Sequence, residues 1–129
     1  MHSIAIQTDC FDRSYWFYTE VVGLAKVREP FPFKTRTLAW LDAGVALIEL
    51  YSTKHGADAA MPLGPANGID HVAFVVERLD EVIAVLEVHG IAIAKGPLVP
   101  PSGDPRQPEI LFVEAPEGTE VQFREPERP

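Results

Sequence analysis

Two histidines, one glutamate and one glutamine are the residues of this sequence best suited to act together: His2, Glu49, His71 and Gln122. Imidazole nitrogens, carboxylates and amide oxygens all bind divalent first-row metal ions, and a carboxylate can also carry a proton. Each of the four stands among apolar residues, where a polar group without a partner is costly. Glu49 lies in Val45-Ala-Leu-Ile-Glu-Leu; if that run is a strand, Glu49 shares a face with Leu47 and Val45 while Ile48 and Leu50 take the other. A metal ion is one way to make an inward carboxylate favourable. The alternatives are ordinary ones. Glu49 could pair with Arg36 or Arg124 across a sheet, Gln122 could hydrogen-bond as a core amide, and His2 could fray with the chain end.

What joins the four is an internal repeat. His2-Ser-Ile-Ala-Ile-Gln opens the chain and His71-Val-Ala-Phe-Val-Val opens its second half. A helical segment follows each, Asp12 to Val22 and Leu79 to His89, and each stops at a glycine, Gly23 and Gly90, as a left-handed C-cap requires. Each half closes on a short strand with a carboxylate or amide one place before a large apolar residue, Glu49-Leu50 and Gln122-Phe123. Two β-α-β-β-β units follow from this pattern. Duplication relates equivalent positions by an approximate two-fold axis, so four matching polar residues can converge on one point.

The elements that must position these groups carry their own signals. Asp12 can cap the first helix by accepting a backbone N–H, with Ser14 as a weaker candidate. Val82, Ile83, Val85 and Leu86 give the second helix an apolar stripe, and His89 suits its C-terminal dipole. Strands are expected near 36–42, 45–51, 70–76, 109–114 and 119–124. Residues 53–69, which include His55, read as a linker, and residues 126–129 as a tail. Prolines in 30–32 and 97–108 predict ordered loops, the second at the mouth of a pocket. Cys10 is the sole cysteine, so an intramolecular disulfide and a zinc–thiolate cluster are excluded; it is expected to be a small buried apolar residue. A net charge of −8 with scattered Lys and Arg argues against nucleic acid. No apolar run is long enough to span a membrane, and no signal peptide is visible at the start, so a cytoplasmic location is expected.

The sequence resembles the vicinal oxygen chelate superfamily, that of glyoxalases, bleomycin-resistance proteins and dioxygenases. The resemblance is carried by His2-Ser-Ile-Ala-Ile, Asp12-Arg-Ser with Phe17-Tyr-Thr-Glu-Val-Val-Gly-Leu, Ala46-Leu-Ile-Glu-Leu, Gly68-Ile-Asp-His-Val-Ala-Phe-Val-Val and Ala115-Pro-Glu-Gly-Thr-Glu-Val-Gln-Phe. It implies an α+β fold, with two βαβββ modules (1–52 and 70–125) forming a cupped mixed sheet, commonly in a homodimer. In metal-using members His2, Glu49 and His71 fall on ligand positions; the fourth is usually glutamate and here is Gln122. The implied cofactor is a divalent ion such as Zn, Ni, Mn or Fe. The implied activity is that of a glyoxalase I-like lyase or isomerase acting on a small molecule through an enediolate. Because an amide has no basic site near neutral pH, Glu49 is the candidate general base. An extradiol-type dioxygenase and a metal-free drug-binding protein are the alternatives. Trp16, Phe31, Phe33, Trp40, Phe74 and Phe112 are candidates to line the cup, and Lys34, Arg36 and Arg106 to grip an anionic substrate tail.

Overall fold

The computed structural model describes residues 2–53, 69–100 and 104–129. Most of the expected linker, with His55, lies outside them. The chain divides into two compact units, Met1–Gly68 and Ile69–Pro129. Among the described residues no helix is long and apolar enough to cross a membrane.

In the first unit, β1 (Ser3–Thr8) leads into α1 (Phe11–Trp16), which continues as one turn of π-helix (Phe17–Val21). Four strands follow: β2 (Ala25–Lys26), β3 (Phe31–Phe33), β4 (Arg36–Asp42) and β5 (Leu47–Ser52). They form a mixed sheet in the order β1-β5-β4-β2, with β3 also pairing β4. β1 runs parallel to β5, and the two are joined through a helical crossover. Alternation gives this sheet two different faces. Ile6, Thr8, Ala39, Leu41, Ile48 and Leu50 are buried on one side, and Phe17, Tyr18 and Val21 of the helical segment are buried with them. Each large apolar side chain so buried contributes roughly 1.5–3 kcal/mol. The opposite face carries Leu38 and Trp40 from β4 in register with Tyr51 and Glu49 from β5.

The entry to α1 differs from the expectation. Cys10, not Asp12, is the N-cap residue, and no side chain caps the helix. Thr8 organises the turn instead. Its hydroxyl accepts from the Cys10 backbone N–H at 3.0 Å and bonds the Ser14 hydroxyl at 2.8 Å, so two buried hydroxyls satisfy one another. Asp12 sits in the first turn, where its charge still suits the helix dipole. Cys10 is half-buried beside the Thr8 hydroxyl at 3.4 Å, a more polar setting than an apolar packing residue would have. Further along, the Thr19 hydroxyl bonds the Tyr15 carbonyl, and this side-chain competition for the helical ladder falls where the helix widens to π.

The second unit is a plain βαβββ: β6 (Val72–Val75), α2 (Leu79–Val88), β7 (Lys95–Leu98), β8 (Ile110–Glu114) and β9 (Glu120–Arg124), in sheet order β6-β9-β8-β7. α2 ends at Gly90 (φ +69°), with Ile91 N–H bonding Leu86 C=O and Gly90 N–H bonding Glu87 C=O. That is the glycine C-cap foreseen from the sequence. Two proline stretches expected to be loops contain strands. Pro32 lies in β3 and Pro97 in β7, both at positions where a missing N–H is tolerated because the strand is paired on one side only.

Candidate metal centre

Glu49 is held on the β5 face away from the helix, with its side chain 15% exposed. Tyr51, two residues on and therefore on the same face, donates its hydroxyl to Glu49 Oε2 at 2.8 Å. Burial, and then the bond to the Glu49 carboxylate, hold the Tyr51 phenol above its ordinary value. The other carboxylate oxygen, Oε1, lies 3.7 Å from His2 Nδ1. Two donors sharing one zinc-sized ion at about 2.1 Å each can be no more than about 4.2 Å apart, so this pair is compatible with a common ion. His2 itself precedes β1 and is 78% exposed. Neither arginine proposed as a partner meets Glu49. Arg36 donates from Nε to Ser52 C=O at 2.8 Å and from Nη2 to Gln7 Oε1 at 3.2 Å, while Arg124 reaches Gln107.

In the second unit His71 immediately precedes β6. Its Nδ1 lies 2.7 Å from Asp70 Oδ2, and its ring packs edge-on against Phe112 at 5.5 Å. A carboxylate on one ring nitrogen fixes the imidazole and leaves Nε2 as the remaining donor, the usual arrangement around a ligating histidine. Gln122 is 7% exposed in the centre of the sheet, in register with Ala73 on β6 and Phe112 on β8. Its amide carries a carbonyl oxygen that can serve as an acceptor or a ligand atom. The four side chains thus have the chemistry of a divalent site. Among the described residues, however, no three His, Cys, Asp or Glu side chains gather closely enough to hold an ion by themselves.

The strand registers refine the repeat. Glu49 pairs with Ala5, and Gln122 pairs with Ala73. If Glu49 and Gln122 are equivalent, so are Ala5 and Ala73, and the residue matching His71 is Ser3, with His2 one place before it. Sequence spacing alone hid this shift because each half begins with a histidine. Tyr51 and Asp70 were also missed, although alternation from Glu49 and adjacency to His71 point to them.

Other candidates divide by location. Phe31, Phe33 and Trp40 belong to the Glu49 face, where Phe31 meets Trp40 edge-on at 5.1 Å. Phe112 lies beside Gln122, whereas Phe74 pairs with Phe123 and Trp16 lies in α1. Arg106 is tied to Asp104 at 2.8 Å. A cavity of about 610 Å³ opens elsewhere, at the start of α1, between Asp9, Cys10, Asp12, Tyr15 and Glu29; none of the four candidate donors lines it.

A sequence profile of the Glyoxalase/Bleomycin resistance protein/Dioxygenase superfamily matches residues 1–123. The chain belongs to this superfamily. Its sheets have the corresponding glyoxalase-like α+β architecture, and solved structures agree. A glyoxalase family protein from Enterococcus faecalis superposes with a TM-score of 0.71 at 23% identity, over 97% of this chain and 96% of that one. The trypanothione-dependent glyoxalase I of Leishmania major gives 0.69 at 24%, over 97% and 85%. Lactoylglutathione lyase from Agrobacterium tumefaciens gives 0.66 at 20%, over 97% and 92%. At these identities the likeness is one of fold. A comparison with curated protein sequences finds no match.

Proposed function

We propose that this superfamily member is a metal-dependent lyase or isomerase, glyoxalase I-like in its chemistry, acting on a small molecule with Glu49 as the proton carrier. The observation behind this reading is the setting of Glu49: a largely buried carboxylate with one oxygen fixed by Tyr51 and the other facing an imidazole. The candidate donors are His2, Glu49, His71 and Gln122, with Zn, Ni, Mn or Fe as the ion. When bound, the ion would supply Lewis-acid polarisation of the substrate's oxygens. The chain's own groups do the rest. Glu49 removes a proton from the carbon next to a carbonyl and returns it; Tyr51 keeps that carboxylate from rotating; Asp70 fixes the His71 ring. Gln122 offers an oxygen but no basic site, so a single carboxylate serves both directions of transfer. The homodimer belongs to the same proposal, and light scattering should give twice the 14.2 kDa chain mass.

Metal analysis after purification in metal-replete medium is the direct test. A stoichiometric ion, lost in Glu49→Ala, supports the reading, and absence of any ion sinks it. Given an ion, the hemithioacetal of methylglyoxal and glutathione should be turned over, with Glu49→Gln lowering kcat by about 10²–10⁴. Oxygen uptake with a catechol would instead point to a dioxygenase. One observation favours a second reading, a metal-free small-molecule binder. With Ser3 at the register position of His71, and an amide at Gln122, the repeat carries fewer strong ligands than a symmetric site would.

A further inference from the structure

The Glu49 face of the first sheet carries an unusual distribution of charge. Four aromatic rings lie on it: Phe31 and Phe33 from β3, Trp40 from β4 and Tyr51 from β5. Three cations stand over those rings. The Arg28 guanidinium is 4.1 Å from the Phe31 centroid, that of Arg36 is 4.3 Å from Tyr51, and Lys34 Nζ is 5.9 Å from Phe33. The second unit repeats the device beside Gln122, where Lys95 Nζ lies 4.6 Å from the Phe112 centroid and Lys95 and Phe112 are cross-strand partners.

None of these four cations pairs with a carboxylate among the described residues. Lys26, Arg78 and Arg106 do, with Glu29, Asp80 and Asp104, while Arg13, Arg124 and Arg128 also show no carboxylate pair among the described residues. The chain has 19 acidic residues against 11 basic ones, so carboxylates are plentiful. What sets the four apart is that each stands over an aromatic ring. Arg36 shows what the arrangement achieves. Ring stacking and bonds to two neutral oxygens hold its guanidinium flat, so its charge is oriented yet not neutralised. The Trp40 indole N–H, in register with Glu49, is buried without an acceptor among the described residues.

We infer that this face binds a planar anion, a carboxylate joined to an aromatic or conjugated body, with the anionic head at Arg36 and the reacting end at Glu49. The inference rests on Glu49 as the working group of the proposed reaction, but the charge preference comes from the cations alone. Tyr51 lies under Arg36 and adjoins Glu49, and two strand residues span about 7 Å, so head and reacting carbon stand about one aromatic ring apart. The flat body packs against Trp40, Phe31 and Tyr51, whose edge-on pairs leave ring surface for stacking.

The test uses 2-naphthoate and its neutral counterpart 2-naphthamide, titrated by calorimetry into the full chain after EDTA treatment at low salt. Removing metal first makes this result independent of whether the chain is a metalloenzyme. Naphthoate should bind at least tenfold more tightly than naphthamide. Arg36→Gln, checked for an unchanged circular dichroism spectrum, should bring the two within about threefold; Arg28→Gln, at a more exposed position, should narrow the gap by a smaller factor. Arg106→Gln, removing a cation already paired with Asp104, should leave it unchanged. Equal binding of the two probes, binding of neither, or a preference that survives both Arg36→Gln and Arg28→Gln overturns the inference. Such a result would leave the metal analysis untouched, and a failed metal analysis would leave this preference standing.

Discussion

The hydrogen bond from Tyr51 to Glu49 is the contact on which the proposed chemistry most depends, and its strength can be measured without knowing the substrate. Tyr51→Phe removes one oxygen and keeps the ring, so the Arg36 stacking and the edge contact with Phe33 at 6.3 Å persist. The lost bond is short, 2.8 Å, and ends on a carboxylate. Hydrogen bonds to charged groups are worth about 1.5–3 kcal/mol. Glu49 retains 15% exposure, so water can replace part of the loss, which places the expected coupling near the lower bound, about 1–2 kcal/mol. A double-mutant cycle isolates it: wild type, Tyr51→Phe, Glu49→Leu and the double variant, each unfolded in urea at pH 7. Leucine is chosen because glutamine would still accept the phenol hydrogen. Since cycles resolve about 0.3–0.5 kcal/mol, a coupling below 0.3 would show that Tyr51 does not hold the carboxylate, and its positioning role would be lost. Under the proposed chemistry the same 1–2 kcal/mol should appear as a fall in kcat of roughly five- to thirtyfold with KM little changed.

Three further outcomes are expected. Gln122→Glu supplies the carboxylate usual at that strand position in the metal-using members the chain resembles, and should tighten zinc binding on the order of tenfold, about 1.4 kcal/mol, by competition with a chromogenic chelator. Gly96→Ala should destabilise by at least about 1–3 kcal/mol in urea melts, because φ is +95° and the new Cβ would stand 2.6 Å from the Ile110 carbonyl oxygen. Asp80 is held below its ordinary 3.8 chiefly by its bond to Arg78, so in the window beneath 3.8 the unfolded chain binds a proton that the native chain does not. Stability therefore falls as pH falls through that window, and Asp80→Asn should flatten the acid limb of a plot of Tm against pH.

Most of the fold is legible in the sequence because its elements are strongly patterned. The runs behind β4, β5, β8 and β9 are apolar or alternating, and Gly90 closes α2 with the left-handed geometry its position predicts. Elements that break local rules were not legible. β3 and β7 contain prolines and few alternating residues, and they form because a neighbouring strand pairs them on one side, a tertiary effect that no local pattern records. The cap of α1 was missed for a related reason. Asp12 is the better capping residue by type, but the Thr8–Ser14 hydroxyl pair fixes the chain two residues earlier. Of the cations on the Glu49 face, Lys34 and Arg36 were candidates from the sequence to grip an anion, but the face they share with Arg28 depends on β3 and β4 being paired.

The one-residue difference between His2 and Ser3 has the largest consequence for the site. Side chains alternate along a strand, so a residue at position 3 shares the face of Ala5, and hence of Glu49, while a residue at position 2 would by alternation point to the helix side. His2 lies just before β1, its carbonyl accepting from the Leu47 N–H at 2.9 Å, and its ring stands within 3.7 Å of Glu49. A side chain outside the strand's alternation is less constrained in direction than one inside, and binding an ion must then also fix that exposed side chain, a cost of up to about 1–2 kcal/mol. Moving the imidazole into the strand with His2→Ala/Ser3→His should therefore raise zinc affinity on the order of tenfold over wild type, as read by the same chelator competition. If the shifted histidine binds zinc no better than wild type, the register equivalence of Ser3 and His71 has no bearing on the ion, and His2 already stands where it is needed.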